Sequence, residues 1–397
     1  MKIKSRTLYE ERIKALLGKG EAVVLTGHRR VGKSCILEKL AKTLRHKGHV
    51  VYIDMEDPDN AEIIDYKKLN YYIKHALKST KHNYILIGEV QEIADFEKTL
   101  RYWIKQDNVD VVVTGSNASM LSSEVATAFS GRYLGVHVSS LGYDEFLHFY
   151  GLEDSDEAIL QYIRWGGLPF LCNIPLDDVR TRTDYLGSIY DTIFVKDIVS
   201  RRQIRNVSLL NNLAHFVADN TGQLLSTNSI AKFMKHDAVS VSQNTIADYM
   251  NALCDTYMID RVMRYDIRSK RLFEQQEKYY FEDIGIRNYL CKDKRLPDLE
   301  KVMENLVYLK LKNEGNEVYV GQFDGKEIDF VTRHGDEIAY YQVTLSISNP
   351  ETYEREFGNL KKIRDNYPKS VITLDHAATL VSDSGIRVLH LRDFLLR

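Results

Sequence analysis

The stretch VVLTGHRRVGKSCILEKL, Val23 to Leu40, decides the reading of this chain. Val23-Val24-Leu25 form a short apolar strand, and Ile36, Leu37 and Leu40 recur on one face of a helix. Between them stands Gly27-His28-Arg29-Arg30-Val31-Gly32-Lys33-Ser34, the pattern G-x-x-x-x-G-K-S in a strand, loop and helix setting. Such glycines let the backbone curl until several N–H groups face one concavity, and the helix start adds the positive end of its dipole. Lys33 is expected to reach the β- and γ-phosphates of a nucleoside triphosphate, and the Ser34 hydroxyl to sit on Mg²⁺. The phosphate-binding set runs from Gly27 through Ser34 to Cys35. A Gly-rich turn without a ligand is the competing reading, and it leaves the agreement of glycines, lysine, serine and both flanking elements unexplained.

A chain of 397 residues has room for two or three domains. Its 54 basic and 56 acidic residues are spread along the whole length, so a nucleic-acid face could exist only as a local patch. Cys35, Cys172, Cys254 and Cys291 lie far apart with no C-x-x-C spacing, which argues against zinc and against a disulfide framework. A reducing cytoplasm fits best. No apolar run has the length of a signal peptide or a membrane span, so neither secretion by that route nor membrane insertion is expected.

Strands and helices alternate beyond the loop, which implies an α/β fold with a parallel sheet and a site at the strand carboxyl ends. The strand His49–Ile53 ends at Asp54 and Glu56, Tyr84–Ile87 ends at Gly88-Glu89, and Val109–Thr114 ends at Gly115-Ser116-Asn117. In P-loop ATPases an Asp-Glu pair closes such a strand, the Asp holding Mg²⁺ and the Glu orienting the attacking water. Here Glu89 is present, but Gly88 stands where the Asp belongs. Glycine offers no oxygen to the metal's shell, so hydrolysis is expected to weaken more than binding. Asp54 or Glu56, at the neighbouring strand end, is the candidate compensation, with Asp54 the metal residue beside Ser34. Ser116 and Asn117 could sense the γ-phosphate or simply form a polar turn. Arg132 could act as an arginine finger, in cis or on a neighbouring subunit, or be solvated.

Several segments together carry a family resemblance: Arg6 to Tyr9, TGHRRVGKS, ILIGEVQEI, VVVTGSNASML, SGR, LGYDEF, Trp165 to Pro169 (WGGLP), KYYFEDIGIRN from Lys278, and REFGNLKKIRDNYP from Arg355. The chain resembles, over nearly its whole length, the prokaryotic AAA-type ATPases of the ASCE class that end in a nuclease-like domain of unknown function. The resemblance implies ATP as the nucleotide and a winged-helix domain capping it. It also makes Gly88 a departure from the family pattern, which puts turnover in doubt.

In the middle third, helical segments are expected from Glu157 to Arg205, broken at Gly166-Gly167, then at Ser208–Asn220, Ser226–Lys235 and Ser242–Asp255. Two β-prone stretches follow, Met258–Tyr265 and Lys278–Phe281, with Arg268-Ser269-Lys270-Arg271 at the turn. Three helices and a hairpin read as a winged helix-turn-helix. If it binds DNA, Gln243, Asn244, Thr245 and Asn251 would face the major groove and the turn cations the backbone. Residues 196–275 hold 11 Lys and Arg against 8 Asp and Glu, a surplus of three, which is a weak footprint. Packing as a regulatory cap is the competing reading.

The last third reads as helix, hairpin, helix, strand, the order of a PD-(D/E)XK nuclease core. Glu304 and Asp329 are its acids, but Gln342 and Thr344 occupy the Glu-x-Lys positions. An amide binds Mg²⁺ poorly, and threonine supplies no positive charge, so no nuclease activity is expected. The expected domains are 1–150 for the ATPase, 151–205 for a helical connector, 206–288 for the winged helix and 289–397 for the nuclease-like domain. The leading functional reading is an ATP-binding, slowly hydrolysing P-loop switch with ATP and Mg²⁺ as cofactors and Glu89, Arg132 and Asn117 as catalytic candidates. A DNA-binding regulator with structural ATP is the alternative. DNA, a protein partner on the C-terminal domain and a homo-oligomer are the candidate partners.

Overall fold

The computed structural model describes residues 4–116, 131–236, 241–291, 298–375 and 385–397, and they fall into two compact units. The first comprises residues 1–139 with 255–257. Its sheet has five parallel strands in the order β2-β3-β4-β1-β5: β1 Ala22–Thr26, β2 His49–Asp54, β3 Asn83–Gly88, β4 Val109–Thr114 and β5 Tyr133–His137. Every residue of β1, β3 and β4 is buried, as expected of apolar, β-branched runs in a sheet covered on both faces.

Among the described residues, four helices accompany this sheet: α1 Thr7–Leu16, α2 Lys33–Leu44, α3 Tyr66–Ala76 and α4 Phe96–Trp103. Asp65 caps α3 by accepting the N–H groups of Lys67 and Lys68 at 2.9 and 3.0 Å, satisfying donors that the helix leaves orphaned. Helix α2 has no side-chain cap; Gly32, in the left-handed region at φ 97°, precedes it. One core cluster joins Val24, Ile53, Ile85, Ile87 and Val113 of the strands to Leu69, Ile73 and Leu100 of α3 and α4.

The second unit comprises residues 140–254 with 258–397. It opens with α5 Tyr143–Tyr150, α6 Asp156–Trp165 and α7 Val179–Thr192, the last running on through a π-helical stretch, Ile193–Val199. Then come α8 Val207–Asp219, α9 Thr227–His236 and α10 Gln243–Asp255, close to the three helices expected there. The hairpin β6 Ile259–Asp266 and β7 Arg271–Phe281 follows, then α11 Ile284–Leu290 and α12 Leu299–Asn313. The chain continues through β8 Glu317–Phe323, β9 Lys326–His334, β10 Glu337–Val343, α13 Pro350–Lys362, β11 Lys369–Thr373, β12 Arg387–His390 and α14 Leu391–Leu396.

Two features differ from the sequence expectations. Strand β7 begins at Arg271 rather than Lys278, because cross-strand pairing with β6, from Asp266↔Arg271 to Ile259↔Phe281, extends through the polar run that conceals it in the sequence. The sheet that contains this hairpin also runs across residue 288. Strand β6 pairs in parallel with β8 (Arg264↔Val320, Asp266↔Gln322), making a seven-stranded sheet in the order β12-β11-β10-β9-β8-β6-β7. That pairing satisfies a strand edge which would otherwise be open to solvent.

Candidate functional site

At the carboxyl end of β1 the chain turns through Gly27 at φ 139°. A Cβ there would meet the Val138 carbonyl oxygen at 2.1 Å, so only glycine fits. His28 is buried and bonds the Arg29 carbonyl oxygen through Nδ1 at 2.7 Å; Arg29 is half-buried. Arg30 is exposed in the left-handed region at φ 65°, and Val31 is fully buried. The Lys33 ammonium, itself buried, donates to the carbonyls of Gly27 and His28 at 2.9 Å each, tying the base of α2 to the start of the loop. Ser34 is half-buried on the first turn of α2, and Cys35 next to it is exposed.

A residue outside the predicted set holds this loop from the other side. Arg6 is buried, and its Nη1 donates to the carbonyl of Val31 at 3.0 Å and that of Ser139 at 2.6 Å. Tyr9, whose ring lies 4.5 Å from the Arg6 guanidinium, accepts the Ser139 N–H at its hydroxyl. In the sequence Arg6 and Tyr9 stand only as part of a motif; their contact with residues 25 and 130 or more positions away is visible only in three dimensions.

The ends of β2, β3 and β4 carry the acids and hydroxyls. Glu89, just past β3, is buried and held in the left-handed region at φ 50°, a costly conformation for a non-glycine residue that tends to persist at functional sites. Its N–H donates to Thr114 Oγ1 at 3.1 Å, and its carboxylate accepts Gln91 Nε2 at 2.6 Å. The buried hydroxyls of Thr26 and Ser116, at the ends of β1 and β4, have no hydrogen-bond partner among the described residues. Asp54 ends β2 in register with Gly88 of β3. A Cβ at position 88 would lie 3.3 Å from Asp54 Oδ1, so this carboxylate oxygen borders the space that an aspartate side chain at 88 would enter. The same Oδ1 accepts the Glu56 N–H at 3.0 Å, which fixes its rotamer, and Glu56 itself is exposed.

The remaining predicted residues are placed differently. Arg132 is exposed and precedes β5, where its carbonyl accepts the Ala22 N–H at 3.3 Å. That is the amino end of the sheet, separated from the loop by the length of β1, roughly 16 Å at 3.3 Å per residue. The parallel register thus places Arg132 at the edge opposite the loop. Asn117 lies outside the described residues.

In the second unit, the acids expected of a nuclease core form a closed network. Asp329 Oδ2 accepts the Val343 N–H at 2.7 Å, while the Asp329 N–H donates to Gln342 Oε1 at 2.7 Å. Gln342 Nε2 in turn donates to Glu356 at 2.6 Å. Lys278 pairs with Glu304 at 2.7 Å and Glu327 at 2.8 Å, and Tyr280 donates to Glu304. Burial, then Glu304 and Glu356, push the Asp329 carboxyl well above the carboxylate range. Burial disfavours the Lys278 charge, but Glu304, Asp329 and Glu327 outweigh it and raise its pKa. Among the described residues, no group of three or more His, Cys, Asp or Glu is arranged to hold a metal ion.

Two motifs far apart in sequence meet here as well. Asp283 caps α11, accepting the Ile286 N–H at 3.1 Å and the Gly167 N–H at 2.9 Å. A Cβ on Gly166, at φ 71°, would stand 2.3 Å from Gly285 N, and one on Gly167 2.3 Å from the Leu141 carbonyl oxygen, which explains the Gly-Gly pair. Burial raises the Asp283 carboxyl to about 6. Of the residues expected to face DNA, Asn251 accepts from Arg261 at 2.6 Å, Gln243 bonds Asn228 at 3.4 Å, and Thr245 bonds Ser242 at 2.9 Å.

No helix among the described residues is long and apolar enough to cross a membrane. Residues 19–147 match the family described as AAA domain, and residues 156–297 match a domain of unknown function (DUF8612). A Haemophilus influenzae protein described as uncharacterized is 32% identical over 383 residues, 94% of each chain. An uncharacterized protein of Methanocaldococcus jannaschii is 27% identical, over 88% of this chain and 81% of its own. Among solved structures, a Walker-type ATPase of Pyrococcus abyssi superposes with a TM-score of 0.50 at 14% identity, covering 72% of this chain and 95% of that one. Its likeness is one of fold. The chain therefore belongs to one family with the Haemophilus influenzae protein, and it carries at residues 19–147 an AAA domain on the P-loop ATPase fold.

Proposed function

We propose that the chain is an ATP-binding switch that hydrolyses ATP slowly in the presence of Mg²⁺. The observation that carries this reading is the assembly at the strand ends: the Gly27–Ser34 loop with its tied Lys33, the strained and buried Glu89, and Asp54 beside Gly88. The loop amides and Lys33 bind the β- and γ-phosphates, and Glu89 orients the attacking water. Ser34, through its hydroxyl, and Asp54, through its carboxylate, would hold Mg²⁺, with phosphate and water oxygens completing its shell. When bound, the ion neutralises charge developing on the phosphates. Arg132 is left with the role of a finger offered to a neighbouring copy.

Helices α8 to α10 with the β6–β7 hairpin form, in this reading, a winged helix that responds to the nucleotide state. The acidic network of Glu304, Asp329 and Glu356 is a structural remnant of a nuclease core. Its amide at Gln342 is engaged by Glu356 and Asp329 rather than left to a metal. The experiment is Mg²⁺-dependent ATP turnover by the chain beside its Gly88→Asp variant, each with and without DNA. Slow turnover by the natural chain supports the switch. Turnover by the Asp variant alone would make the natural chain a binding-only protein. Cleavage of linear DNA that vanishes in Asp329→Ala would overturn the inactive-nuclease reading.

A further inference from the structure

Two segments some ninety residues apart in sequence face each other across a cavity of about 860 Å³ in the second unit. The turn between β6 and β7 contributes Arg268 and Lys270; the end of α13 and the residues after it contribute Lys361, Lys362 and Arg364. Against these five cations stand three acids, Asp324, Glu354 and Asp365, a surplus of two. Asp324 is already paired with Arg268 at 3.1 Å, and Asp365 accepts from Tyr340 at 2.7 Å and Lys369 at 2.6 Å. Glu354 is exposed. In a chain whose charges otherwise nearly balance, this rim is a local concentration of positive charge.

The interior is aromatic. Tyr265 and Tyr340 are buried in its floor, Phe323 is half-buried, and Tyr367 is 37% exposed, its ring edge-on to Tyr340 at 6.4 Å. A volume of this size suits a small organic group rather than a duplex. Aromatic faces flanked by cations match the alternation of base and phosphate along an unpaired strand, whereas an acidic peptide would use the rim and leave the floor bare.

We propose that this cavity binds a single-stranded nucleic acid, with a base against Tyr367 and Phe323 and its flanking phosphates on Lys270, Lys361, Lys362 and Arg364. The proposal goes beyond the ATP switch and does not depend on it, since every lining residue lies in the second unit.

The test is fluorescence anisotropy of a labelled oligothymidylate with the full chain over a salt series, alongside a duplex and polyglutamate as competitors. The expected result is binding to the single strand in preference to the duplex. The Lys361→Ala/Lys362→Ala/Arg364→Ala variant should weaken it at least about tenfold and lower the salt slope by about 2, at roughly 0.7 per phosphate contact. Tyr367→Ala should weaken it about tenfold with little change in slope. Glu354→Lys should tighten it, a gain that misfolding cannot mimic. Lys33→Ala should bind as the natural chain does, which separates this proposal from the nucleotide site. Absence of binding at low salt, an unchanged triple variant, or a duplex preference lost in Asn244→Ala/Thr245→Ala would overturn it. So would displacement by polyglutamate as effective as by unlabelled strand, which would assign the cavity to an acidic protein segment.

Discussion

Asp54 and Gly88 are register partners across β2 and β3, and Asp54 Oδ1 lies 3.3 Å from the point where a side chain at 88 would begin. The position that lacks an acid thus has one beside it, supplied by the neighbouring strand. Asp54→Ala should weaken Mg²⁺-dependent ATP turnover about tenfold or more, one lost ionic ligand being worth roughly 1.5–3 kcal/mol. Gly88→Asp alone would set two carboxylates side by side and should gain little, whereas Gly88→Asp/Asp54→Gly should restore turnover. Steady-state kinetics with varied Mg²⁺ checks this. Equal Mg²⁺ dependence of the natural chain and Asp54→Ala would exclude Asp54 from the site.

Lys33 bonds two carbonyls of its own loop, so its removal deprives both the loop and the phosphates of a cation. Lys33→Ala should weaken ATP binding by about a hundredfold, the order of two charge-assisted hydrogen bonds. Calorimetric titration with Mg²⁺ATP reads it, and unchanged affinity would contradict the phosphate-binding assignment.

Glu89 is assigned a role in hydrolysis but none in holding the nucleotide. Glu89→Gln keeps the side-chain shape and can still face Gln91, so binding should persist while single-turnover hydrolysis falls by about 10² or more. A variant that hydrolyses as fast as the natural chain would transfer the role elsewhere.

The Asp283 carboxyl, raised by burial to about 6, makes the second unit sensitive to pH. Between the ordinary value of 3.8 and about 6 the folded chain holds a proton that the unfolded chain has released, so this group's contribution to stability falls as pH rises through that window. The full effect is about 3 kcal/mol. Asp283→Asn keeps an acceptor for the Gly167 and Ile286 N–H groups and removes the titration. Its melting temperature relative to the natural chain should therefore rise from pH 4 to pH 7; a constant difference would show that Asp283 does not titrate in this range.

Lys278 is buried between Glu304 and Glu327. Lys278→Met leaves Glu304 with the Tyr280 hydroxyl as its donor among the described residues and should destabilise the fold by about 3–5 kcal/mol, the usual result of breaking a buried pair. Adding Glu304→Gln should recover part of the loss in a denaturant-unfolding series.

The nucleotide-binding core was legible in the sequence because its signals are local. Gly27, Gly32, Lys33 and Ser34 sit within one turn and its helix start, and buried parallel strands such as β1, β3 and β4 are written as unbroken apolar runs. The helices α8 to α10 were legible for the same reason, through their caps and apolar spacing. Residues whose roles depend on distant partners were not legible. Arg6 closes on Val31 and Ser139, Asp283 on Gly167, and Lys278 on Glu304, each across a sequence separation that no periodicity encodes. Strand order did the rest. The parallel register alone set Asp54 against Gly88 and carried Arg132 to the far edge, and the pairing of β6 with β8 made one sheet of two expected domains. Local sequence therefore determined which elements form and where a phosphate can bind; hydrogen-bond register between strands, fixed only when the whole sheet assembles, decided which side chains meet.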